Sequence, residues 1–487
     1  MSSISRRDFV KGSIAATAGL TMAGSAWAQV RGANDDIRIG VAGIRSKGAH
    51  HIEHLRGLEG ARVVAICDPD TNLLAREKKK FTDDQQTVET YTDVRKMLDS
   101  KDIDAIVIAT PNHWHSLIGI WACQAGKDVY VEKPVSHNIW EGRQLVKAAR
   151  KYDRIVQAGT QNRSDIGLIP MMQYIHEGSL GEIEYVHTLT YRRRKSIGKV
   201  PGPQPIPDHI DYDLWTGPAE LQPLMRERLH YDWHWVWDYG NGSIGNQGIH
   251  EVDLAMWALQ EDKLAPRVLS VGGRYGYDDD GETPNTMVSI LDYESAPVIC
   301  EVKNLPMNKN RNSMDYYRGI KTGIIIQCKD GYFAGGRGGG WIYDNDGNKI
   351  KQFRGDGGGN HQQNFIDAVR SRKRENLAAE IEKGHKSSAL CHMAHYSYRM
   401  GQKSDPEKAQ EAVGENSHAA KVWRRLEEHL FMNWIDLQKE GVVVGPWLEM
   451  DSKKETFVEK EDFGPAFWAN KLGRGTYREP FVVPEKV

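Results

Sequence analysis

Between residues 36 and 159, short and almost wholly apolar runs alternate with longer segments whose apolar positions recur at helical spacing. The runs cover 37–41, 62–67, 104–109, 128–131 and 155–158. The segments between them, 50–58, 72–81, 92–98, 115–125 and 140–152, read as helices. Strands that are apolar throughout are buried on both faces, and their alternation with amphipathic helices builds a doubly wound parallel sheet. After residue 160 the period changes. A helix over 168–177 leads into strands at 183–192, 267–274, 285–292, 296–303, 322–329, 332–334, 340–344 and 349–353, with Asn345-Asp346-Gly347 as a hairpin turn between the last two. Strand runs joined by short turns predict a mostly antiparallel, open sheet. Helix returns from 362 to 399 and from 419 to 440, and the remaining residues, with several prolines and glycines, read as an irregular tail.

The first residues follow a different rule. Arg6 and Arg7 are adjacent, Phe9 and Lys11 follow, residues 13–27 are apolar and small, and Ala26-Trp27-Ala28 fits a cleavage site. A basic start, a short apolar middle and a small-residue exit make a signal peptide, and the arginine pair makes it a twin-arginine signal. A flexible arm with a chance arginine pair is the alternative. On the first reading residues 1–28 are removed and the protein is periplasmic. No other apolar run approaches membrane-spanning length, so no membrane insertion is expected. A formal net charge of −2 supplies no field to attract nucleic acid. The five cysteines, Cys67, Cys123, Cys300, Cys328 and Cys391, lack metal-type spacing and read as reduced, buried thiols. Cargo of the twin-arginine route folds before export, which reconciles them with an exported protein. His113, His115, His361, His385, His392 and His395 show no tight ligand spacing, so no metal is required.

The turn after the first strand holds Gly43 and Gly48, where a dinucleotide-binding loop needs a tight turn and close helix packing. Arg45 stands at the usual middle glycine, where its side chain can swing out to phosphate. Asp68 ends the second strand, where a carboxylate accepts from ribose hydroxyls and repels a 2′-phosphate, favouring NAD over NADP. A turn or helix-cap role is the alternative for Asp68. The chain thus reads as an α/β protein: an N-terminal Rossmann doubly wound parallel sheet over 36–159, a C-terminal α/β domain with an open, mostly antiparallel sheet over 160–400, and a helical extension with an irregular tail over 401–487.

Thr110-Pro111-Asn112-His113-Trp114-His115, then Glu132-Lys133-Pro134, then Gln161-Asn162-Arg163 give the segments ATPNHWH, VEKP and QAGTQNR. Over residues 37–398 the chain resembles the Gfo/Idh/MocA oxidoreductases, which include glucose–fructose oxidoreductase, inositol dehydrogenases and related sugar dehydrogenases. The resemblance implies bound NAD lying over the Glu-Lys-Pro segment, with Thr110, Pro111, Asn112, His115, Glu132, Lys133 and Gln161 around it, and a Lys-Pro bond that is often cis. Its second signature reads here Gly242-Ser-Ile-Gly245-Asn246-Gln-Gly248-Ile-His250-Glu-Val-Asp253. By the resemblance His250 is the general base, and Lys133 polarises the substrate hydroxyl. The alternatives are a satisfied buried histidine and an ion pair of Lys133 with Glu132. The family usually carries Asp where Asn246 stands. An uncharged Asn favours a neutral His250 and leaves no Asp–His relay, so Asn246 reads as a substrate contact. Arg163 and the aromatic run 231–239, above all Trp235, Asp238 and Tyr239, are further substrate candidates, with ordinary packing as the alternative for the run.

These readings converge on NAD-dependent oxidation of a ring hydroxyl of a sugar or glycoside to a keto-sugar, at carbon 3 by analogy. An exported enzyme has no free dinucleotide pool, so it must hold its cofactor and regenerate it in place. A redox-neutral NAD-dependent glycoside hydrolase, an inositol or polyol dehydrogenase and a non-catalytic sugar-binding protein are the rivals. The family resemblance further implies a homo-oligomer, dimer or tetramer, formed through the open face of the second sheet.

Overall fold

The computed structural model describes residues 36–414 and 417–487, so the predicted signal peptide lies outside the described residues. Strands β1 (Ile37–Ala42), β2 (Ala61–Cys67), β3 (Glu89–Tyr91), β4 (Ala105–Ile108), β5 (Asp128–Val131) and β6 (Val156–Ala158) pair in parallel in the order β3-β2-β1-β4-β5-β6. Helices α1 (Lys47–Arg56), α2 (Thr71–Asp83), α3 (Val94–Leu98), α4 (Asn112–Gln124) and α5 (Ile139–Lys151) connect them. β1, β4 and β5 are buried because they are apolar on both faces. β3 escapes the hydrophobic pattern because it is a three-residue edge strand, Glu-Thr-Tyr, that is not buried throughout. The strand order reverses between β1 and β4, which opens a crevice at their carboxyl ends.

The second sheet takes β7 (Ile183–Tyr191), β8 (Arg267–Gly273), β9 (Thr286–Leu291), β10 (Val298–Lys303), β11 (Thr322–Cys328), β12 (Gly331–Gly336), β13 (Gly339–Tyr343) and β14 (Lys349–Arg354). It continues through β15 (Gln402–Ser404) and β16 (Val442–Val444), in the order β14-β13-β12-β11-β7-β10-β9-β8-β16-β15. Along this path β7 and β10 run parallel, and the other pairs are antiparallel. Alternate residues of each strand serve opposite faces. Val268, Met287, Leu291, Val298 and Cys300 pack with α6 (Leu168–His176), α7 (Ile249–Leu259) and α8 (Ile381–Arg399). Leu269, Val271, Val288, Ile290 and Ile299 pack with Val422, Trp423, Leu426 and Leu430 of α9 (Ser417–Met432).

Three expectations change here. The helix expected over 362–399 is two helices, His361–Ser371 and α8, separated where Arg372 adopts a left-handed φ of 57°. The residues expected as an irregular tail add β16 to the sheet, form the helix Pro465–Arg474 and send Phe481 and Val483 into the core of the first domain. The face expected to be open for oligomerisation is covered by the chain's own α9 over β8, β9 and β10. The five cysteines are free and buried. Among the described residues no helix is long and apolar enough to cross a membrane.

Trp423 is fully buried at the centre of the α9 contact. Trp423→Ala should therefore cost about 3–5 kcal/mol of stability in denaturant unfolding. A loss below about 1 kcal/mol, the level of an ordinary surface change, would show that α9 does not hold the sheet.

Candidate functional site

The β1–α1 turn closes because its end glycines have no side chain. Gly43 has φ 77°, and a Cβ there would stand 2.6 Å from the Thr110 backbone nitrogen; a Cβ on Gly48 would stand 1.7 Å from the Gly43 carbonyl oxygen. Arg45 fills the middle position and lines the adjoining cleft. Asp68, at the end of β2, accepts the Ile44 backbone N–H at 3.1 Å on Oδ2 and the Asp70 N–H at 3.0 Å on Oδ1. Burial pushes its carboxyl up to about 6 against the pull of those two bonds. The turn role and the place in the cleft therefore coexist in one residue. Asp70 caps α2 by accepting from the backbone N–H groups of Asn72 and Leu73.

Together with its open mouth the cleft spans about 1260 Å³. Its floor holds Gly43, Arg45, Asp68, Thr110, Pro111, Asn112, His115, Glu132 and Lys133, with Asn246 at the inner end. Its roof is a segment the sequence pattern leaves blank, which contributes Leu214, Trp215, His230, Tyr231, Trp233 and His234. The roof is bonded down at the outer end: the Thr71 N–H donates to the His209 carbonyl at 2.9 Å and the Asp211 N–H to the Pro69 carbonyl at 3.0 Å. His230 Nε2 meets Asp70 Oδ2 at 2.8 Å. On the other side Trp114 Nε1 donates to the Trp215 carbonyl at 3.1 Å. Arg478 donates to the carbonyls of Gly217 and Ala219 and to Asp213, which ties the roof to the segment that carries Phe481 into the first domain.

Glu132 and Lys133 leave the end of β5, and the Lys133–Pro134 bond is cis. Burial alone would raise the Glu132 carboxyl. Lys47 at 3.5 Å, the His51 hydrogen bond at 2.8 Å and the adjacent Lys133 together hold it well below the carboxylate range. Gln362 Nε2 donates to His51 Nδ1, which leaves the His51 Nε2–H to donate to Glu132. Gln161 Nε2 donates weakly to Glu132 Oε1 at 3.4 Å. His115 bridges the Pro134 and Thr110 carbonyls, with its ring nitrogens 2.6 and 2.8 Å from them.

Lys133 Nζ donates to the Asn246 carbonyl at 2.5 Å and lies 3.4 Å from Asn246 Oδ1. Burial lowers its pKa, with Glu132 opposing. Asn246 sits on a single wide π-helical turn, Ile244–Gly248, that runs straight into α7 and His250. Such turns recur at functional sites because they re-aim side chains within a helix. His250 Nδ1 is buried without a hydrogen-bond partner. Burial, then the Lys133 charge, lowers the His250 pKa to about 3, so its ring is neutral. Glu251, which the motif reading passes over, is buried nearby, and burial lifts its carboxyl to about 8. The Gln247 amide donates to it at 3.1 Å, and Lys133 and Arg192 oppose the rise.

Four substrate candidates lie elsewhere. Arg163 is buried, with Nε 3.0 and 2.8 Å from the Asp253 carboxylate oxygens, so it ties the domain crossover to α7. Its partner is distant in sequence, which hides the pair from motif reading. Trp235 and Tyr239 are buried in aromatic packing, Trp235 against Tyr231 and His234, Tyr239 against Trp215 and His113. Asp238 faces a different cavity, beside Trp237 and Arg399. Lys47, Glu251 and the roof residues join the site instead. Lys47 and Glu251 adjoin predicted positions in sequence, and Tyr231, Trp233 and His234 fall within the aromatic run 231–239, but Leu214, Trp215 and His230 carry no local signal.

Two family models match this chain: an oxidoreductase family's NAD-binding Rossmann fold over residues 37–160, and the same family's C-terminal α/β domain over residues 191–308. A glycosyl hydrolase family 109 protein of Shewanella sp. (strain ANA-3) is 29% identical over 222 residues, covering 40% of this chain and 49% of that protein. The chain spans about half the length of such curated relatives. Among solved structures, the WlbA dehydrogenase from Bordetella pertussis, in complex with NADH and UDP-GlcNAcA, superposes with a TM-score of 0.55 at 21% identity, over 75% of this chain and 97% of its own. An oxidoreductase from Agrobacterium radiobacter in complex with NAD+, L-tartaric acid and magnesium gives 0.53 at 15% identity, over 74% of this chain and 95% of its own. At these identities the likeness establishes the shared fold.

The Arg163–Asp253 pair is an interior tie, so Arg163→Ala should act on stability. It leaves the Asp253 charge buried without its guanidinium, a loss of about 3–5 kcal/mol in denaturant unfolding. Normal stability with weakened substrate binding would instead return Arg163 to the site.

Proposed function

Because the chain belongs to the Gfo/Idh/MocA oxidoreductase family and carries its NAD-binding Rossmann domain, we propose that it oxidises a ring hydroxyl of a sugar or glycoside to a keto-sugar. Carbon 3 is the position this reading favours. The observation that carries it is the Lys133–Asn246 bond at the inner end of a roofed cofactor cleft, with His250 following Asn246 into α7 near enough to feel the Lys133 charge. The residues present fit a dinucleotide. The Gly43–Gly48 turn admits no side chain, α1 presents its N-terminus, where backbone N–H groups favour phosphate, and Asp68 stands where a ribose hydroxyl donates. Bound NAD supplies the hydride acceptor.

The protein residues then divide the proton work. Lys133 Nζ trades its bond to the Asn246 carbonyl for the substrate hydroxyl oxygen and stabilises the negative charge that grows there. Asn246, freed on its amide side, orients a neighbouring hydroxyl. The neutral His250 ring accepts the hydroxyl proton, as a base must. Glu132 opposes the burial that lowers the Lys133 pKa. The roof excludes water and, tied down at Asp70 and through Arg478, supports a cofactor that stays bound between turnovers. Retention suits an enzyme exported by the twin-arginine signal into the periplasm, where it would recycle its cofactor in place. A second reading, redox-neutral glycoside hydrolysis with the same residues, draws on the glycosyl hydrolase family 109 relatives.

Protein purified without added dinucleotide should release NAD on denaturation, read by mass spectrometry. Incubation with monosaccharides, inositol and nitrophenyl glycosides should yield a keto-sugar with a nicotinamide absorbance change. No change with any of them overturns the oxidation reading. Nitrophenol release without net cofactor reduction selects the hydrolytic one. Lys133→Ala and His250→Ala should each lower kcat by about 10²–10⁴-fold. A base must be unprotonated, and the His250 pKa lies at about 3. The acid limb of kcat/KM should therefore fall below the ordinary histidine range, and a limb near pH 6.5 would remove His250 as the base.

A further inference from the structure

The chain leaves β7 through three consecutive arginines, of which one reaches the π-helical turn and another the roof of the cleft. Arg192 Nη1 donates to Gln247 Oε1 at 2.6 Å, beside Asn246 on that turn. Arg194 Nη1 donates to the Tyr231 hydroxyl at 3.2 Å, and its guanidinium stands 5.7 Å from the centre of the Trp235 ring. Lys133, Asn246, Tyr231 and His234 all line the cleft. Arg194 lies near enough that its charge lowers the pKa of both Lys133 and His234.

Among the described residues neither guanidinium forms an ion pair. Nearby arginines are compensated: Arg228, over the same Tyr231 ring, pairs with Asp232 at 2.7 Å, and Arg274 pairs with Asp279 at 2.6 Å. The acids closest to Lys133 are already engaged. Glu132 serves Lys47, His51 and Lys133. Glu251 takes its bond from the Gln247 amide, whose oxygen Arg192 holds, and burial lifts its carboxyl to about 8, so it brings little negative charge at neutral pH. Lys47 and Arg337 add to the positive side, since both charges lower the His250 pKa. Arg194 itself is half-buried. Burial lowers its pKa, and only the Tyr231 phenol opposes the fall appreciably. A cation drawn out of water calls for a counter-charge, and the protein supplies none here.

The dinucleotide phosphates are not that counter-charge. They belong to the Gly43–Gly48 turn, where Arg45 and Lys47 stand, whereas Arg194 acts on Lys133 and His234. A single half-buried cation calls for a single negative charge, and the planar fork of a guanidinium matches a carboxylate. Resting on the sugar-oxidation reading, we propose that the substrate is a sugar acid, a hexuronic acid or its glycoside, whose carboxylate binds Arg194 with the field of Arg192 in support.

The test is calorimetric titration of the cofactor-bearing protein with D-glucuronate and D-galacturonate, each beside its neutral carboxamide, and with glucose 6-phosphate. The same titrations are run on Arg194→Gln, on Arg192→Gln and on Arg193→Gln, a control at the exposed arginine that bonds Asn312. An unchanged thermal midpoint and cofactor content certify each variant's fold; if Arg194→Gln fails this control, Arg192→Gln decides. At least one uronate should bind the parent about tenfold more tightly than its carboxamide. That preference should fall severalfold in the folded cleft variant and persist in Arg193→Gln. No saturable uronate binding to the parent overturns the proposal, as does equal binding of acid and carboxamide. So does a preference that the folded cleft variant keeps or that Arg193→Gln also loses, and so does tighter binding of the phosphate ester. Charge-selective binding with no nicotinamide absorbance change overturns the oxidation reading and leaves the carboxylate site standing.

Discussion

Glu132 is a carboxylate with almost no access to water, and the groups that keep it ionised come from separate parts of the chain. Lys47 and His51 lie on α1, Lys133 follows in sequence, Gln161 lies beyond β6, and Gln362 fixes the His51 tautomer from the helix 361–371. An ion buried this deeply is tolerated only when such partners surround it. The arrangement therefore fixes the dinucleotide loop, the end of β5 and the crossover into the second domain relative to one point. The neighbouring Lys133 inherits that fixed position. The same carboxylate opposes the burial that lowers the Lys133 pKa, so one residue both places and counteracts the desolvation of the group on which the proposed chemistry depends.

The roof converts an open crevice into an enclosed one. A doubly wound sheet leaves the carboxyl ends of its strands accessible, and dinucleotides ordinarily enter and leave there. In this chain Trp215, His230, Trp233 and His234 cover that entrance, bonded to α2 at one side and to Trp114 at the other. Gly217 illustrates how closely the layers fit, since a Cβ there would stand 2.1 Å from the Trp114 ring.

Much of this is legible in the sequence where the signal is local. Fully buried strands such as β4 and β5 announce themselves as apolar runs, and Gly43, Lys133, Asn246 and His250 fall at or beside the ends of regular elements, where motif spacing is informative. The unreadable features depend on distant partners. Arg163 looks like a cleft residue until Asp253 is brought to it, and Trp235 and Tyr239 look like a sugar platform until Trp215, Tyr231 and His113 surround them. The 192–240 segment has neither period, because its role is to lie across another domain and not to pack on itself. β3 is too short and polar to show a pattern, and β16 is three valines whose pairing with β8 only the tertiary structure supplies.

Phe481 and Val483 give the fold a consequence in time. They complete the core of the first domain, beside Trp114 and above Arg95, yet they are made after every strand of both sheets. Domains usually fold in order as they leave the ribosome, the N-terminal one first. Here the first domain waits for residues at the far end of the sequence, and a nascent chain stopped at residue 475 has both sheets but lacks the plug beneath the roof. The core of the cofactor domain therefore closes only after both sheets have been made, and a product lacking these two residues is distinguishable by an exposed apolar gap in its oldest part.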